Sequence, residues 1–199
     1  MNIKSFSNLC QEHRVWIIEY VPYSHEKSVF VVWYTDFEDD DNDKLLVYND
    51  EKIFGTSNIK SMYEMVLKEQ QNLAVSTQIS NWLQCFGEIM PKADVCFDAN
   101  SIIGSILNSE LNTCKLDELV KIINFYEDYI YQIGIEYDRE ENVKEIWNYY
   151  YDVIFWPRFN SNNKIDLVDQ FPLQTDQEAL GRAMLSMVRF FEQRIVVVD

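Results

Sequence analysis

Residues 14–21, RVWIIEYV, and residues 28–34, SVFVVWY, decide the fold that the sequence predicts. Both segments are rich in β-branched and aromatic residues, which favour β-strands. The residues between them, 22–27 (PYSHEK), have the composition of a turn. The three segments together predict an antiparallel hairpin with a moderately long loop.

Two further strands are expected after the hairpin. The acidic residues 36–43 form a second turn, residues 44–48 (KLLVY) a third strand, and residues 52–55 a fourth strand after a turn at 49–50. A short helix is expected before the hairpin, around residues 3–13. The N-terminal part of the chain therefore predicts a small antiparallel sheet, built as a hairpin meander.

Beyond residue 55 the apolar residues repeat at helical spacing. Helices are expected from residue 59 onward, at 77–86, at 116–130 with a stop at Gly134, at 140–155 with an end at Pro157, and at 176–194. Residues 93–107 leave two alternatives open, a loop or a short strand at 95–97, before a short helix. Strands first and helices after are typical of the α+β class. We expect one globular domain, 1–199, β-rich at 14–55 and helical at 58–194, with the sheet packed against the C-terminal helices.

The negative charge of the chain is concentrated in two stretches. The net charge is −16 over 199 residues. Residues 36–51 contain eight acids and one base, and residues 117–152 contain ten acids and three bases, so each stretch carries −7. Such a field repels nucleic acid and anionic lipid and attracts cationic proteins. Direct nucleic-acid or membrane binding is therefore not expected, and the alternative to a basic protein partner is that the acidic surface only aids solubility.

The cysteines and the apolar runs indicate the compartment. Cys10, Cys85, Cys96 and Cys114 form no C-x-x-C pair and are interpreted as reduced, buried thiols. The N-terminus lacks the apolar run of a signal peptide, and no apolar run is long enough to span a bilayer. We therefore expect a cytoplasmic location.

The sequence contains no recognisable catalytic or cofactor motif. Glycine-rich phosphate loops, the G-x-S-x-G elbow and H-E-x-x-H are absent from it. His13 and His25 have no partner that spacing assigns, and Cys10 with His13 supplies only two of the ligands that zinc needs. No catalytic residue and no cofactor is therefore predicted.

The acidic run at residues 39–43, DDDND, invites a calcium-loop interpretation that its register does not support. Lys44 stands where a calcium loop needs glycine, and Asp50 stands where it needs a bidentate glutamate. A solvated turn is the preferred interpretation, and no metal site is predicted.

Aromatic residues crowd the predicted helix at 140–155 and its end. Tyr149, Tyr150 and Tyr151 lie about 100° apart around a helix, so one helical face cannot bury all three. Tyrosine and tryptophan beside acids are typical of a surface that binds arginine and lysine. The alternative is a thick aromatic core with tyrosine hydroxyls at its rim.

The order of elements resembles that of a known protein class. A hairpin meander at 15–34 and 45–54, followed by an amphipathic helix from Ile59, resembles bacterial immunity proteins of polymorphic and contact-dependent growth inhibition toxin systems. The resemblance lies in the order of the elements over roughly the first seventy residues, and no diagnostic motif accompanies it. It implies an inhibitor that binds a cognate, often basic, nuclease toxin domain and blocks its active site.

The sequence thus predicts an acidic protein that neutralises a basic partner, as an immunity protein does a toxin. The predicted partner-binding residues are Asp36, Glu38, Asp39, Asp40, Asp41, Asp43, Glu140, Glu141, Glu145, Trp147, Tyr150 and Tyr151. One alternative is a small metal-dependent hydrolase or nucleotide-handling enzyme with scattered acids, Mg²⁺ and an assisting His25. Another is a structural or adaptor subunit. The sequence leaves open whether the two acidic stretches share one face.

Overall fold

A mixed β-sheet forms the centre of the computed structural model, which describes residues 6–25, 27–86, 90–160 and 167–199, apart from the side chain of Phe86. The strands in these residues are β1 (Val15–Val21), β2 (Val29–Asp36), β3 (Asn42–Leu45), β4 (Ile53–Thr56), β5 (Val95–Asp98) and β6 (Ile195–Val198). The helices are α1 (Phe6–His13), α2 (Met62–Glu69), α3 (Thr77–Phe86), α4 (Ala99–Leu107), α5 (Thr113–Gln132), α6 (Glu141–Tyr149), α7 (Trp156–Asn160) and α8 (Gln177–Glu192). The predicted α+β class is confirmed. Residues 3–5 of the predicted N-terminal helix lie outside the described residues.

The hairpin of β1 and β2 forms the middle of the sheet, as the sequence predicts. The two strands pair antiparallel from Val15 opposite Tyr34 to Tyr20 opposite Val29. β2 also pairs antiparallel with β3 near its C-terminal end and with β4 near its N-terminal end. The strand order is β5-β1-β2-β4-β6, with β3 beside β2.

Two parallel edge strands correct the prediction of a purely antiparallel, N-terminal sheet. β5 pairs in parallel with β1, and β6 pairs in parallel with β4. The sequence pattern leaves β5 as an open alternative and predicts no strand at residues 195–198. The predicted third strand at 44–48 is also displaced, because β3 begins at Asn42 and ends at Leu45, and farther along Val47 and Tyr48 form only isolated bridges.

Helices cover both faces of the sheet. On one face, Ile17 and Val32 belong to a core with residues of α1, α2 and α3. On the other face, Ile18 and Val31 belong to a core with residues of α4, α5, α6 and α8. Burial on both faces accounts for the nearly continuous apolar sequence of β1 and β2. The prediction that the sheet packs against C-terminal helices is therefore incomplete, since α1–α3 form a second layer.

Phe191 of α8 lies at the centre of the larger core. Its ring centroid is 5.4 Å from that of Tyr20, 5.3 Å from Phe125, 4.7 Å from Tyr126 and 5.7 Å from Tyr129. The hydroxyls of Tyr20 and Tyr126 share a 2.7 Å hydrogen bond, and the Tyr20 hydroxyl also donates to Glu192. This cluster ties β1 to α5 and α8, because each element contributes a fully buried ring.

The predicted helix at 140–155 does not end at Pro157. α6 continues into a π-helical turn, Tyr150–Phe155, and then into α7, which contains the proline. A proline inside a helix removes one amide donor and crowds the carbonyl four residues earlier, here that of Val153. The Val153 carbonyl instead accepts a hydrogen bond from the Leu167 amide at 2.8 Å, so its hydrogen bond comes from outside the helix.

Three of the four cysteines are more exposed than the sequence predicts. All four thiols are free, but only Cys10 is buried, whereas Cys85, Cys96 and Cys114 are exposed. Among the described residues, no helix combines the length and the apolar character needed to cross a bilayer.

We expect Phe191→Ala to lower the free energy of unfolding by about 3–5 kcal/mol, because it leaves a cavity between four rings. Urea denaturation measures the change. Phe171→Ala is the matched control, because this ring is 55% exposed and its loss is expected to cost no more than about 0.5 kcal/mol. Equal losses for the two variants would contradict the central position of Phe191.

Candidate functional site

The turn between β2 and β3 holds the first acidic stretch. Lys44 pairs with Asp36 at 2.9 Å and with Asp39 at 2.7 Å, so one base compensates two acids. Asp36 is only 8% exposed and also accepts the Glu38 amide, which makes it part of the turn's internal structure. This burial and pairing argue against the predicted role of Asp36 in partner binding.

The rest of this turn points its carboxylates to solvent. Glu38, Asp39, Asp40 and Asp41 are exposed, and Arg14 approaches Asp41 to 3.8 Å. In the described part of the chain, no ion pair involves Glu38 or Asp40. Asp40 and Asp41 adopt left-handed φ angles of 50° and 59°, a conformation that aspartate tolerates better than most residues.

The first acidic stretch meets the second at Asp128 of α5. The Trp33 indole nitrogen donates to Asp128 at 3.2 Å. Burial raises the pKa of Asp128 to about 7, and the negative charges of Asp43 and, more weakly, Glu127 act in the same direction. The hydrogen bond from Trp33 opposes this rise and does not offset it. Asp128 is not among the predicted partner-binding residues, because from sequence an acid in the helix of residues 116–130 is interpreted as charge on the helix surface.

Gln132 fixes α5 against β3 and thereby holds this junction in place. Its side-chain amide accepts from the Leu45 amide and donates to the Leu45 carbonyl, both at 2.9 Å. Asp43 is two residues from Leu45 in β3, and Asp128 is one helical turn before Gln132 in α5. The paired hydrogen bonds therefore hold the strand that carries Asp43 against the helix that carries Asp128.

The second acidic stretch continues from Glu127 to the connection between α5 and α6. Arg139 forms a bidentate pair with Glu127, and its guanidinium lies 4.3 Å from the ring centroid of Trp147. Tyr137 lies near the same charges. Burial raises its pKa to about 12, and the negative charges of Glu127, Glu140 and Asp138 raise it further, whereas the positive charge of Arg139 lowers it. We name the carboxylates connected in this way, Asp43, Glu127, Asp128, Asp138 and Glu140, the acidic α5 surface.

Few cations compensate the acids near this surface. Five exposed carboxylates between residues 136 and 145 have no ion pair within the described ranges; they are Glu136, Asp138, Glu140, Glu141 and Glu145. Lys121 and Lys115, by contrast, already bind Asp117 and Glu118 on α5. Of the predicted residues, Asp43 and Glu140 thus belong to the acidic α5 surface, and Glu141 and Glu145 are exposed on the neighbouring helix α6.

The predicted aromatic residues divide into surface and core. Trp147 and Tyr151 are half-buried, with ring centroids 4.2 Å apart. Asn124 of α5 accepts from the Trp147 indole at 2.9 Å and donates to the Tyr151 hydroxyl at 3.3 Å. Tyr150 is buried and donates to Asp117, which argues against its predicted role in partner binding. The π-helical turn that follows α6 starts at Tyr150 and changes the side-chain spacing assumed for a regular helix.

The described residues contain no group of three or more His, Cys, Asp or Glu side chains arranged to hold a metal ion. What the acidic α5 surface offers chemically is a set of hydrogen-bond acceptors and negative charge beside aromatic rings. Such groups bind guanidinium and ammonium ions.

We expect Asp128→Asn to increase the free energy of unfolding at neutral and higher pH. The pKa of Asp128 in the fold, about 7, exceeds the unfolded value of about 4. Its contribution to stability is therefore complete below about pH 4 and is lost as the pH rises through about 7. The shift corresponds to a gain of up to about 4 kcal/mol at about pH 8 and to no change at about pH 3, measured by urea denaturation at each pH.

Asp117→Asn is the control variant, for which we expect the opposite change in the free energy of unfolding, a decrease at neutral and higher pH. Burial acts to raise the pKa of Asp117, but hydrogen bonds from Lys121 and Tyr150 outweigh it and leave the pKa lowered. Its charge therefore stabilises the fold above the unfolded pKa, and that contribution is lost as the pH falls. A loss of stability at about pH 8 in Asp128→Asn, as in Asp117→Asn, would contradict the electrostatic account of the junction.

Comparisons with known proteins identify a fold relationship. No family model and no curated protein matches the chain. A solved structure that does match is the C-terminal domain of SatS, in a crystal structure in complex with bromine. The match has a TM-score of 0.60 and 11% sequence identity, and it covers 95% of this chain and 96% of that domain. This chain is therefore similar in fold to the SatS C-terminal domain over nearly its whole length.

Proposed function

We propose that this protein binds a basic protein through the acidic α5 surface and neutralises it, in the manner of an immunity protein that blocks a cognate toxin in the cytoplasm. The observation that carries the proposal is that β3 of the first acidic stretch is bonded to α5 of the second through Leu45 and Gln132, which brings the charge of Asp43 near enough to Asp128 to raise its pKa. Because the stretches meet, two regions of net charge −7 contribute to one field rather than to separate ones.

Carboxylates that lie near one another without a compensating cation support a basic partner. An acidic surface that served only solubility would gain nothing from bringing Asp128 and Asp43 together, and their repulsion costs folding free energy. Carboxylates without a cation partner in the described chain, such as Glu38, Asp40 and Glu140, are available to lysine and arginine side chains. Such complementarity accelerates association and disfavours partners of the wrong charge.

Aromatic rings beside the acids support the same partner. Arg139 already shows how a guanidinium is held here, stacked on Trp147 and paired with Glu127. The proposed contact residues are therefore the predicted set without its two buried members; they are Glu38, Asp39, Asp40, Asp41, Asp43, Glu140, Glu141, Glu145, Trp147 and Tyr151. The metal-dependent enzyme stays a hypothesis that no contact among the described residues favours.

Co-expression with the polypeptide encoded by the adjacent reading frame tests this function. We expect that polypeptide to arrest growth when expressed alone, and this protein to restore growth and to co-purify with it. The affinity of the complex should fall as salt rises, because exposed charges are screened over about 10 Å at 0.1 M salt.

Charge reversal tests the proposed contact residues, one in the turn between β2 and β3 and one in the acidic α5 surface. Glu38→Lys and Glu140→Lys are each expected to weaken the complex about tenfold, because attraction becomes repulsion at the contact. Glu64→Lys is the matched control, because Glu64 is exposed on α2, on the opposite face of the sheet. Isothermal titration calorimetry measures the affinities. Equal effects of all three substitutions, or binding that does not depend on salt, would overturn the proposal.

A further inference from the structure

An apolar cleft opens at the C-terminal end of α5, between the α5–α6 connection and α8. Its walls are formed by Ile130, Ile135, Tyr137, Val143, Met187 and Phe190. Ile130, Ile135 and Tyr137 also line an adjoining depression that reaches Glu127 and Arg139 of the acidic α5 surface and its ion pair. The cleft is thus continuous with the surface proposed to bind the basic partner.

The geometry of the helix end explains why apolar side chains face this opening. α5 ends with Gly134 at φ +66°, the Ile135 amide donates to the Ile130 carbonyl at 3.2 Å, and the Gly134 amide donates to the Tyr131 carbonyl at 3.0 Å. This is a Schellman motif, in which the two residues joined by the longer bond also form an apolar contact. Ile135 remains 41% exposed even so.

The connection is also anchored to α8 across the cleft. The Tyr137 hydroxyl donates to the Met187 sulfur at 3.3 Å. At the C-terminal end of α8, Arg194 stacks on Phe190 with its guanidinium 4.1 Å from the ring centroid. Both walls are therefore held by specific contacts of their own, so the cleft is formed before any partner arrives.

The two walls carry different charge. On the α5–α6 connection, Glu136, Asp138 and Glu140 are exposed and have no ion pair among the described residues, while Arg139 is compensated by Glu127. On α8, Arg182 is compensated by Glu178, and Arg189 is exposed. An occupant of the cleft therefore meets negative charge on the connection side only.

We propose that this cleft receives an apolar side chain from a cationic amphipathic segment of the basic partner, with the lysine or arginine residues of that segment facing Glu136, Asp138 and Glu140. This inference rests on the proposed function and names the part of the partner that the site takes. Apolar walls beside one row of uncompensated carboxylates are complementary to a helix with one apolar face and one basic face. Aliphatic and aromatic walls supply burial, and the carboxylates set the orientation.

A synthetic peptide tests the inference without the partner. The probe has leucine at helical spacing i, i+3, i+4 and lysine at the other positions, and it is titrated into the whole chain labelled with ¹³C-methyl methionine. We expect the Met187 methyl resonance to shift on saturable binding, because Met187 lines the cleft. Met184, fully buried one turn earlier in α8, is the internal reference.

Two control peptides and two variants make the outcome specific. A glutamate–leucine peptide and a lysine–serine peptide are expected to leave Met187 unshifted, since each lacks one half of the complementarity. Ser186→Trp fills the cleft from an exposed position, and Glu140→Lys reverses charge at its rim. Each substitution is expected to lower the affinity of the protein for the lysine–leucine peptide about tenfold, whereas Glu64→Lys is expected to leave that affinity unchanged.

The result separates this inference from the proposed function. A Met187 resonance that does not respond to the lysine–leucine peptide, or that responds equally to the glutamate–leucine peptide, overturns the cleft as the receptor. If Ser186→Trp leaves the affinity for the peptide unchanged, the inference is likewise overturned. In these cases the charge-reversal results with the basic partner still decide the proposed function on their own.

Discussion

Helix α5 packs between the sheet and the C-terminal helices and bonds to both. The Tyr126 hydroxyl bonds to Tyr20 of β1, and Gln132 bonds both backbone groups of Leu45 in β3. These contacts fix the rotation and the height of the helix on the sheet. The other side of α5 holds α6 through Asn124 and Trp147. One helix thus positions the acidic turn, the aromatic side chains and the cleft relative to one another.

This arrangement has an electrostatic cost that the core must offset. Burial, with the negative charges of Asp43 and Glu127, raises the pKa of Asp128 to about 7, so its charged form is disfavoured in the fold. A cation placed beside Asp128 would lower that pKa and relieve the penalty. If the proposed basic partner binds at this place, its binding and the protonation of Asp128 are linked.

Local sequence was a good guide where neighbouring residues decide the structure. The hairpin at β1 and β2 and the helix end at Gly134 follow from β propensity and from the left-handed backbone that glycine permits. It failed where distant pairing decides. β6 is a strand because β4 offers a free edge to four apolar residues directly after α8. Pro157 stays within a helix because Leu167, ten residues later, satisfies the displaced carbonyl of Val153.

Composition and short-range periodicity were enough to predict the α+β class, the hairpin and the amount and position of the negative charge. Tertiary contacts, by contrast, determine which acids are internal, as Asp36 is, and which rings belong to the core, as Tyr150 does. The fold also brings Asp43 and Asp128, eighty-five positions apart in the printed sequence, near enough for the charge of Asp43 to raise the pKa of Asp128. The physical reason is that burial and electrostatic repulsion depend on distance in space, and the contacts of α5 with the sheet set that distance.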